Sequence, residues 1–172
     1  LPERARTRVR VSGNPIRPPV ERDPAEARAA LGLDPALPTV LVVGGSQGSV
    51  ALNEAVLAAL GEVEGDPGYQ LMWSTGPANH AKVCAALDEM AVPVGVHAVA
   101  YIDDMPSALA AADVAVSRAG AMATSELLAW GVPAILVPLP TSAAGHQEKN
   151  ARALAEAGCA VPRRTSRCAS SC

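Results

Sequence analysis

Residues 39–60 read TVLVVGGSQGSVALNEAVLAAL, and this stretch decides the fold class of the 172-residue chain. It opens with the apolar, β-branched run 40–43, which is typical of a buried β-strand. A glycine-bearing segment follows at 44–49, and after it a helical pattern places apolar side chains on one face, namely Leu52, Val56, Leu57 and Leu60. A strand, a glycine turn and a helix in this order predict the start of a βαβ unit.

The glycine turn at 44–49 lies just before the predicted N-terminus of that helix. Glycine allows the backbone to turn tightly and to approach a ligand closely. The first N–H groups of a helix lack intrahelical partners and lie at the positive end of the helix dipole, so they suit an anion. We therefore interpret the turn as a phosphate-binding loop, although it matches neither the dinucleotide-binding G-x-G-x-x-G pattern nor the P-loop. An ordinary tight turn between a strand and a helix is the alternative.

Composition places the chain among globular α/β proteins. Apolar residues make up 49% of it and aromatic residues only 2%, so Ala, Val and Leu must form the core. The formal net charge of −3 shows no basic footprint for a nucleic acid. No apolar run approaches the roughly 18 residues of a membrane span, and the N-terminal LPERARTRVR does not read as a signal peptide. The four cysteines are scattered, which favours reduced thiols over a zinc site.

Short apolar strand patterns alternate with helical patterns along the chain. Besides 40–43, strands are predicted at 8–12, 69–74, 96–101, 114–117, 134–137 and 159–161. Besides the helix after the glycine turn, helices are predicted at 24–31, 81–90, 106–112, 124–130 and 146–157. Uniformly apolar strands separated by helices predict a Rossmann-like parallel sheet of about six strands with helices on both faces.

These elements divide the chain into three parts. Residues 23–161 form the predicted Rossmann-like domain, and residues 1–22 form an N-terminal strand and a hinge-like segment. The tail 162–172 is basic, rich in Ser and Cys, and without apolar periodicity. We expect this tail to be disordered and not necessarily native to the fold.

Three loops carry the residues best suited to chemistry. The loops after Val43, Ser117 and Val137 all leave the carboxyl ends of predicted parallel strands, where such sheets bind their ligands. Glu126, beyond the second loop, could accept hydrogen bonds from two ribose hydroxyls, and a helix-dipole or capping-box role is the alternative. The last predicted helix begins with polar side chains that suit sugar hydroxyls or a solvated surface, namely His146, Gln147 and Asn150.

Other polar residues have simpler interpretations. Asp103 and Asp104 precede Pro106 and read as turn and N-cap residues. The sequence shows no further carboxylate cluster, so we expect no bound metal. Arg17, which follows a Gly-Asn-Pro break, is either a contact to an anionic ligand or a surface arginine.

Five motifs together resemble one family. They are GNPIR at 13–17, VVGGSQGSVALN at 42–53, YIDDM at 101–105, SRAGAMATSELLAWGVPAILVPLP at 117–140 and HQEKNA at 146–151. Their order and spacing over residues 8–161 resemble the C-terminal half of the MurG family, the bacterial UDP-N-acetylglucosamine transferases of peptidoglycan synthesis. The resemblance implies one half of a GT-B glycosyltransferase, in which two Rossmann-like domains enclose a donor cleft.

The resemblance also implies donor-binding residues in the two glycine turns. Gly45, Ser46 and Gln47 would lie at the diphosphate and the sugar. Backbone N–H groups of the second turn would bind the phosphates, from Ala121, Met122 and Ala123.

The nucleoside and the sugar are implied to bind along the same edge. Ile102 would meet the uracil through its backbone, and Glu126 would hold the ribose hydroxyls. His146 and Gln147 would contact the N-acetylglucosamine. Arg17 would lie near the uracil or the hinge.

An inverting hexosyltransferase of cell-wall biogenesis, and hence of cell shape and division, is the implied activity. It would use UDP-N-acetylglucosamine without a metal or other cofactor, in the step from lipid I to lipid II. In this family the acceptor site and the catalytic base belong to an N-terminal domain, so we expect this chain to act as a fragment with no catalytic residue and no transfer alone. The full-length protein is expected to be cytoplasmic and peripheral on the inner face of the cell membrane. The alternatives are another GT-B glycolipid glycosyltransferase and a nonenzymatic or degenerate nucleotide-binding fragment.

Overall fold

The computed structural model describes residues 13–90, 92, 95–138 and 146–156, together with the backbone of 160–162. The strand predicted at 8–12 and the tail residues 163–172 lie outside these residues, as does most of the predicted loop after Val137.

Within the described residues, six helices and six strands alternate, as the sequence predicts. The helices are α1 Pro24–Ala30, α2 Val50–Gly61, α3 His80–Glu89, α4 Met105–Ala111, α5 Ala121–Ala129 and α6 His146–Glu156. The strands are β1 Thr39–Val43, β2 Gln70–Ser74, β3 Gly95–Val99, β4 Val114–Arg118, β5 Ala134–Val137 and β6 Ala160–Pro162.

The strands form one parallel sheet in the order β3-β2-β1-β4-β5-β6. In the register of the sheet, Val42 of β1 lies between Trp73 of β2 and Val116 of β4. The strand order runs outward in opposite directions from β1 and β4, so the sheet is doubly wound. The predicted Rossmann-like fold is confirmed.

Successive side chains of β1 enter two different cores because side chains alternate across a strand. Leu41 is fully buried in the cluster that includes Met72 and Ala115, whereas Val42 belongs to the cluster that includes Trp73. Helices cover both faces of the strand, and this explains why its apolar run is uninterrupted rather than alternating.

Two element boundaries differ from the prediction by two residues or more. β3 ends at Val99 instead of residue 101. α5 begins at Ala121, three residues before the predicted Thr124. Thr124 therefore lies inside the helix and does not cap it, and its hydroxyl donates a hydrogen bond back to the carbonyl oxygen of Gly120 at 2.9 Å.

Candidate functional site

A cleft of about 400 Å³ opens at the carboxyl ends of β1 and β4. These two neighbouring strands flank the point where the strand order reverses, which is where doubly wound sheets bind ligands. The β1–α2 loop, the β4–α5 loop and the start of α6 line the cleft, through Gly44, Gly45, Ser46, Gln47, Ser117, Arg118, Gly120, Ala121, Met122, Ala123 and Gln147. The predicted meeting of the first two loops at one edge of the sheet is confirmed.

The β1–α2 loop is held by close backbone packing against the residues that follow β2. Gly48 has a φ of 73°, and a Cβ atom built on it would lie 2.8 Å from both the Cα atom of Gly76 and the carbonyl carbon of Thr75. Only glycine fits such an approach at a positive φ. At the end of the loop, Ser49 caps α2 by accepting a hydrogen bond from the backbone N–H of Leu52. The backbone that carries Ser46 and Gln47 therefore has little room to move.

A buried network of hydrogen bonds between α2 and the end of β2 supports the β1–α2 loop. The Nδ2 atom of Asn53 donates to the carbonyl oxygen of Thr75 at 2.9 Å, and the Nε1 atom of Trp73 donates to the Oδ1 atom of Asn53 at 3.2 Å. All three residues are buried, so each hydrogen bond satisfies a group that water cannot reach. The network ties α2 to the end of β2.

The β4–α5 loop presents the N-terminus of α5 to the cleft. Gly120 is the N-cap residue, and its carbonyl oxygen accepts the backbone N–H of Thr124 at 2.9 Å. Because the N-cap is a glycine, no cap side chain competes for the N–H groups of the first turn, which belong to Ala121, Met122 and Ala123. The first turn of α5 thus has the arrangement that suits an anion.

Two asparagine side chains hold the start of α5 in place. The Nδ2 atom of Asn14 donates to the carbonyl oxygen of Ala121 at 3.1 Å and to the Oγ atom of Ser125 at 2.7 Å. The Nδ2 atom of Asn150 donates to the carbonyl oxygen of Ala119 at 3.1 Å. Asn150 therefore bonds the protein backbone, and it holds α6 where the helix can bring Gln147 to the cleft.

Arg118 is a cleft residue that sequence reasoning missed. It is the last residue of β4, and its Nη1 atom donates to the carbonyl oxygen of Gly44 at 3.3 Å. Its Nε atom is buried and has no hydrogen-bond partner in the described part of the chain. Burial lowers the pKa of the guanidinium, which nevertheless stays charged at neutral pH. The sequence did carry a signal for this residue, since Arg118 is a cationic residue at the carboxyl end of an apolar strand.

The structure brings most of the implied donor residues together. Gly45, Ser46, Gln47, Gln147 and the first turn of α5 all line the cleft. The other implied donor residues are not among its lining residues, and their roles stay predictions, namely Arg17, Ile102, Glu126 and His146.

These four residues differ in their surroundings. Arg17 and His146 are exposed. Ile102 is only 3% exposed and its side chain packs in the core, so only its backbone is left for a ligand. Glu126 is half-buried beside a cavity of about 30 Å³ that shares Ser117 and Ala123 with the cleft.

The capping-box alternative for Glu126 is wrong. Because α5 begins at Ala121, the position that a capping box uses is Ala123, and Glu126 lies three residues farther along the helix. The helix-dipole alternative is weakened too, because α5 has no acidic residue in its first turn and the dipole effect falls off within that turn. A hydrogen-bonding role toward a ligand and an ordinary half-buried helix position are the interpretations left for this carboxylate.

Asp104 is an N-cap residue, as predicted. Its Oδ1 atom accepts the backbone N–H of Ser107 at 3.1 Å, and its Oδ2 atom accepts the hydroxyl of Ser107 at 2.6 Å. These bonds, together with the charge of Arg22, hold the pKa of Asp104 below its usual value.

Across the described residues, no group of three or more His, Cys, Asp or Glu side chains is arranged to bind a metal. No helix in the described ranges is long and apolar enough to cross a membrane.

Known proteins share both the sequence and the fold of this chain. It is 40% identical over 157 residues to the UDP-N-acetylglucosamine–N-acetylmuramyl-(pentapeptide) pyrophosphoryl-undecaprenol N-acetylglucosamine transferase of Acetivibrio thermocellus, with 91% of the chain and 42% of that protein covered. It is 46% identical over 151 residues to the protein of the same name from a Nocardioides species, with 85% of the chain and 40% of that protein covered. The chain thus spans about two fifths of the length of these curated relatives.

Solved structures agree with these sequence matches. The crystal structure of MurG from Acinetobacter baumannii superimposes with a TM-score of 0.68 at 27% identity, covering 89% of the chain and 45% of that protein. The glycotransferase of kitacinnamycin superimposes with a TM-score of 0.58 at 20% identity over 90% of the chain and 34% of that protein, a likeness of fold alone. The family model of the glycosyltransferase family 28 C-terminal domain matches residues 39–168. The chain therefore belongs to the glycosyltransferase family 28 C-terminal domain family and is homologous to MurG over most of its length.

Proposed function

We propose that this chain is the donor-binding domain of a UDP-N-acetylglucosamine transferase that converts lipid I to lipid II in peptidoglycan synthesis. One observation carries the proposal. In a chain homologous to MurG, two glycine-bearing loops, each leading into a helix N-terminus, converge on one cleft where the strand order reverses. That arrangement suits the diphosphate of a nucleotide sugar.

The diphosphate is the group that such a site must stabilise, since negative charge develops on it as the sugar departs. The first turn of α5, whose N–H groups have no intrahelical partner, and the loop residues Ser46 and Gln47 both line the cleft. Preorganised N–H groups and helix dipoles stabilise such charge without reorganising during the reaction. We propose that the site binds its donor without a metal ion.

The nucleoside and the sugar occupy the two ends of the diphosphate in this proposal. The backbone of Ile102 binds the uracil, and the half-buried Glu126 accepts hydrogen bonds from the two ribose hydroxyls. His146 and Gln147, the first two residues of α6, bind the N-acetylglucosamine. Arg17 lies on the segment that Asn14 fastens to α5, which suits a contact near the uracil.

Sugar transfer needs groups beyond this cleft. A general base must lie within hydrogen-bond reach of the acceptor hydroxyl. Among the described residues that line the cleft, there is no carboxylate and no imidazole. We therefore propose that the acceptor site and the base come from another part of a peripheral, cytoplasmic transferase, and that this chain binds the donor without transferring it.

Isothermal titration calorimetry of the chain tests the proposal in buffer that contains EDTA. UDP and UDP-N-acetylglucosamine should bind more tightly than ADP, and added magnesium should leave their affinities unchanged. Equal affinity for ADP, or strict dependence on a metal, would refute donor binding of this kind. A second assay supplies radiolabelled UDP-N-acetylglucosamine and a lipid-linked muramyl-peptide acceptor, and turnover by the chain alone would refute the proposed division of labour.

A further inference from the structure

The N-cap position of α5 is occupied by Gly120, which has no side chain to accept an N–H group of the first turn. Helix ends fray, and a donor that becomes ordered only on binding contributes less affinity than one already in place. The proposed function nevertheless needs the N–H groups of this turn at fixed positions around a diphosphate. Side chains that bond the carbonyl groups of the turn supply this restraint.

Three successive carbonyl oxygens at the turn each accept a hydrogen bond from a side chain. The bonds run from Nδ2 of Asn150 to Ala119 at 3.1 Å, from Oγ1 of Thr124 to Gly120 at 2.9 Å, and from Nδ2 of Asn14 to Ala121 at 3.1 Å. In a trans peptide unit the N–H points away from the C=O, so a bond on the carbonyl side leaves the N–H side open. The three peptide units held in this way carry the N–H groups of Gly120, Ala121 and Met122, and all three residues line the cleft.

Asn14 differs from the other two side chains because it belongs neither to α5 nor to the helix that carries Gln147. It lies 107 positions before Ala121, and its Nδ2 atom also donates to the Oγ atom of Ser125 at 2.7 Å. The side chain thus joins the first turn of α5 to the next from outside the helix. Hydrogen bonds in series polarise one another, so the bond to the carbonyl of Ala121 also makes the N–H of Met122 a stronger donor.

We propose that Asn14 is a positioning residue for the diphosphate, which fixes and polarises the peptide unit between Ala121 and Met122 without touching the ligand. The inference rests on the proposed function and adds to it a residue that acts through the backbone. Asn14 is exposed, so water competes for its bonds and its effect is that of a neutral hydrogen bond. Uridine lacks the phosphates that this peptide unit binds, so its affinity does not depend on Asn14.

Calorimetry with two probes, UDP and uridine, tests the proposal on Asn14→Leu, which keeps the size of the side chain and removes its N–H donors. Asn14→Leu should weaken UDP binding roughly 3- to 10-fold, the loss that removal of one neutral hydrogen bond produces, and leave uridine binding unchanged. Equal weakening of UDP and uridine would show a merely structural role and overturn the proposal.

Two control variants separate the peptide contact from other effects. Asn79→Leu also removes an amide that donates to a backbone carbonyl, that of Thr75, and this carbonyl keeps its bond from Asn53. Ser125→Ala removes the second acceptor of Asn14 and keeps the bond to Ala121. Both controls should bind UDP as the unmodified chain does. A loss in Ser125→Ala as large as that in Asn14→Leu would assign the effect to the hydroxyl contact and overturn the role of the peptide unit.

An NMR measurement keeps the test decisive if Asn14→Leu does not fold. The side-chain amide resonances of Asn14 in the unmodified chain should shift when UDP is added, because a phosphate on the N–H of Met122 strengthens the bond at the carbonyl of Ala121. They should stay in place when uridine is added. No shift with UDP, or the same shift with both probes, would overturn the proposal.

The two levels of inference fail in different ways. If the unmodified chain does not bind UDP, the proposed function is wrong and the role of Asn14 falls with it. If the unmodified chain binds UDP and Asn14→Leu binds it equally well, the proposed function stands and the role of Asn14 is wrong.

Discussion

Replacing Gly48 with alanine tests whether the cleft depends on the close packing of its loop. Gly48 has a φ of 73°, and the new Cβ atom would lie 2.8 Å from the Cα atom of Gly76 and closer still to the carbonyl oxygen of Thr75. These neighbours are backbone atoms, which cannot rotate away as a flexible side chain can. Gly65 offers a matched control because its φ is 69° and no atom lies within 4 Å of the position of a Cβ atom.

The two substitutions share one energetic cost and differ in another. An alanine in the left-handed region costs about 1–2 kcal/mol at either position. Overpacking adds about 1–3 kcal/mol at Gly48 and nothing at Gly65. We therefore expect Gly65→Ala to lower the free energy of unfolding by about 1–2 kcal/mol and Gly48→Ala to lower it by about 2–5 kcal/mol.

Urea denaturation measures both values, and calorimetry with UDP shows whether the cleft survives. Gly48→Ala should also weaken UDP binding, since relief of the clash displaces the loop that carries Ser46 and Gln47. Gly65→Ala should bind UDP as the unmodified chain does. Equal losses of stability in the two variants, or full UDP affinity in Gly48→Ala, would refute the argument that this packing shapes the site.

Two further predictions concern carboxylates. Glu126→Ala should weaken UDP binding by about 1.5–3 kcal/mol in calorimetry if Glu126 holds the ribose hydroxyls, with a much smaller change in stability; an unchanged affinity in the folded variant would contradict that role. Asp104→Asn keeps a capping side chain but removes its charge. Because the folded-state pKa of Asp104 is lowered, its charge stabilises the fold above the unfolded pKa of about 3.9, and the effect disappears as the pH falls through the folded pKa. The difference in Tm between the unmodified chain and Asp104→Asn should therefore be present at neutral pH and vanish in acid, whereas a difference independent of pH would contradict it.

The order of helices and strands was predictable because its causes are local. The apolar run at 40–43 predicts a strand that is buried on both faces, and the structure has β1 at Thr39–Val43. Asp104 was predicted as an N-cap residue, and its side chain accepts the backbone N–H of Ser107 in the first turn of α4. Strands that alternate with helices predict a parallel sheet, so the edge that carries the cleft also followed from the sequence alone.

The contacts between residues far apart in the sequence were decided by the tertiary structure, because no local pattern predicts them. Arg118 meets the carbonyl oxygen of Gly44 across 74 positions of the chain, and this contact exists because β1 and β4 are neighbours in the sheet. The need for glycine at Gly48 comes from the backbone of Gly76, on the loop that follows β2. Propensity and periodicity act within a few residues, whereas these contacts depend on the register of strands and on how their loops pack. The sequence alone therefore determined which edge of the sheet carries the cleft, and folding determined which charge lies in the cleft and how its loop is held.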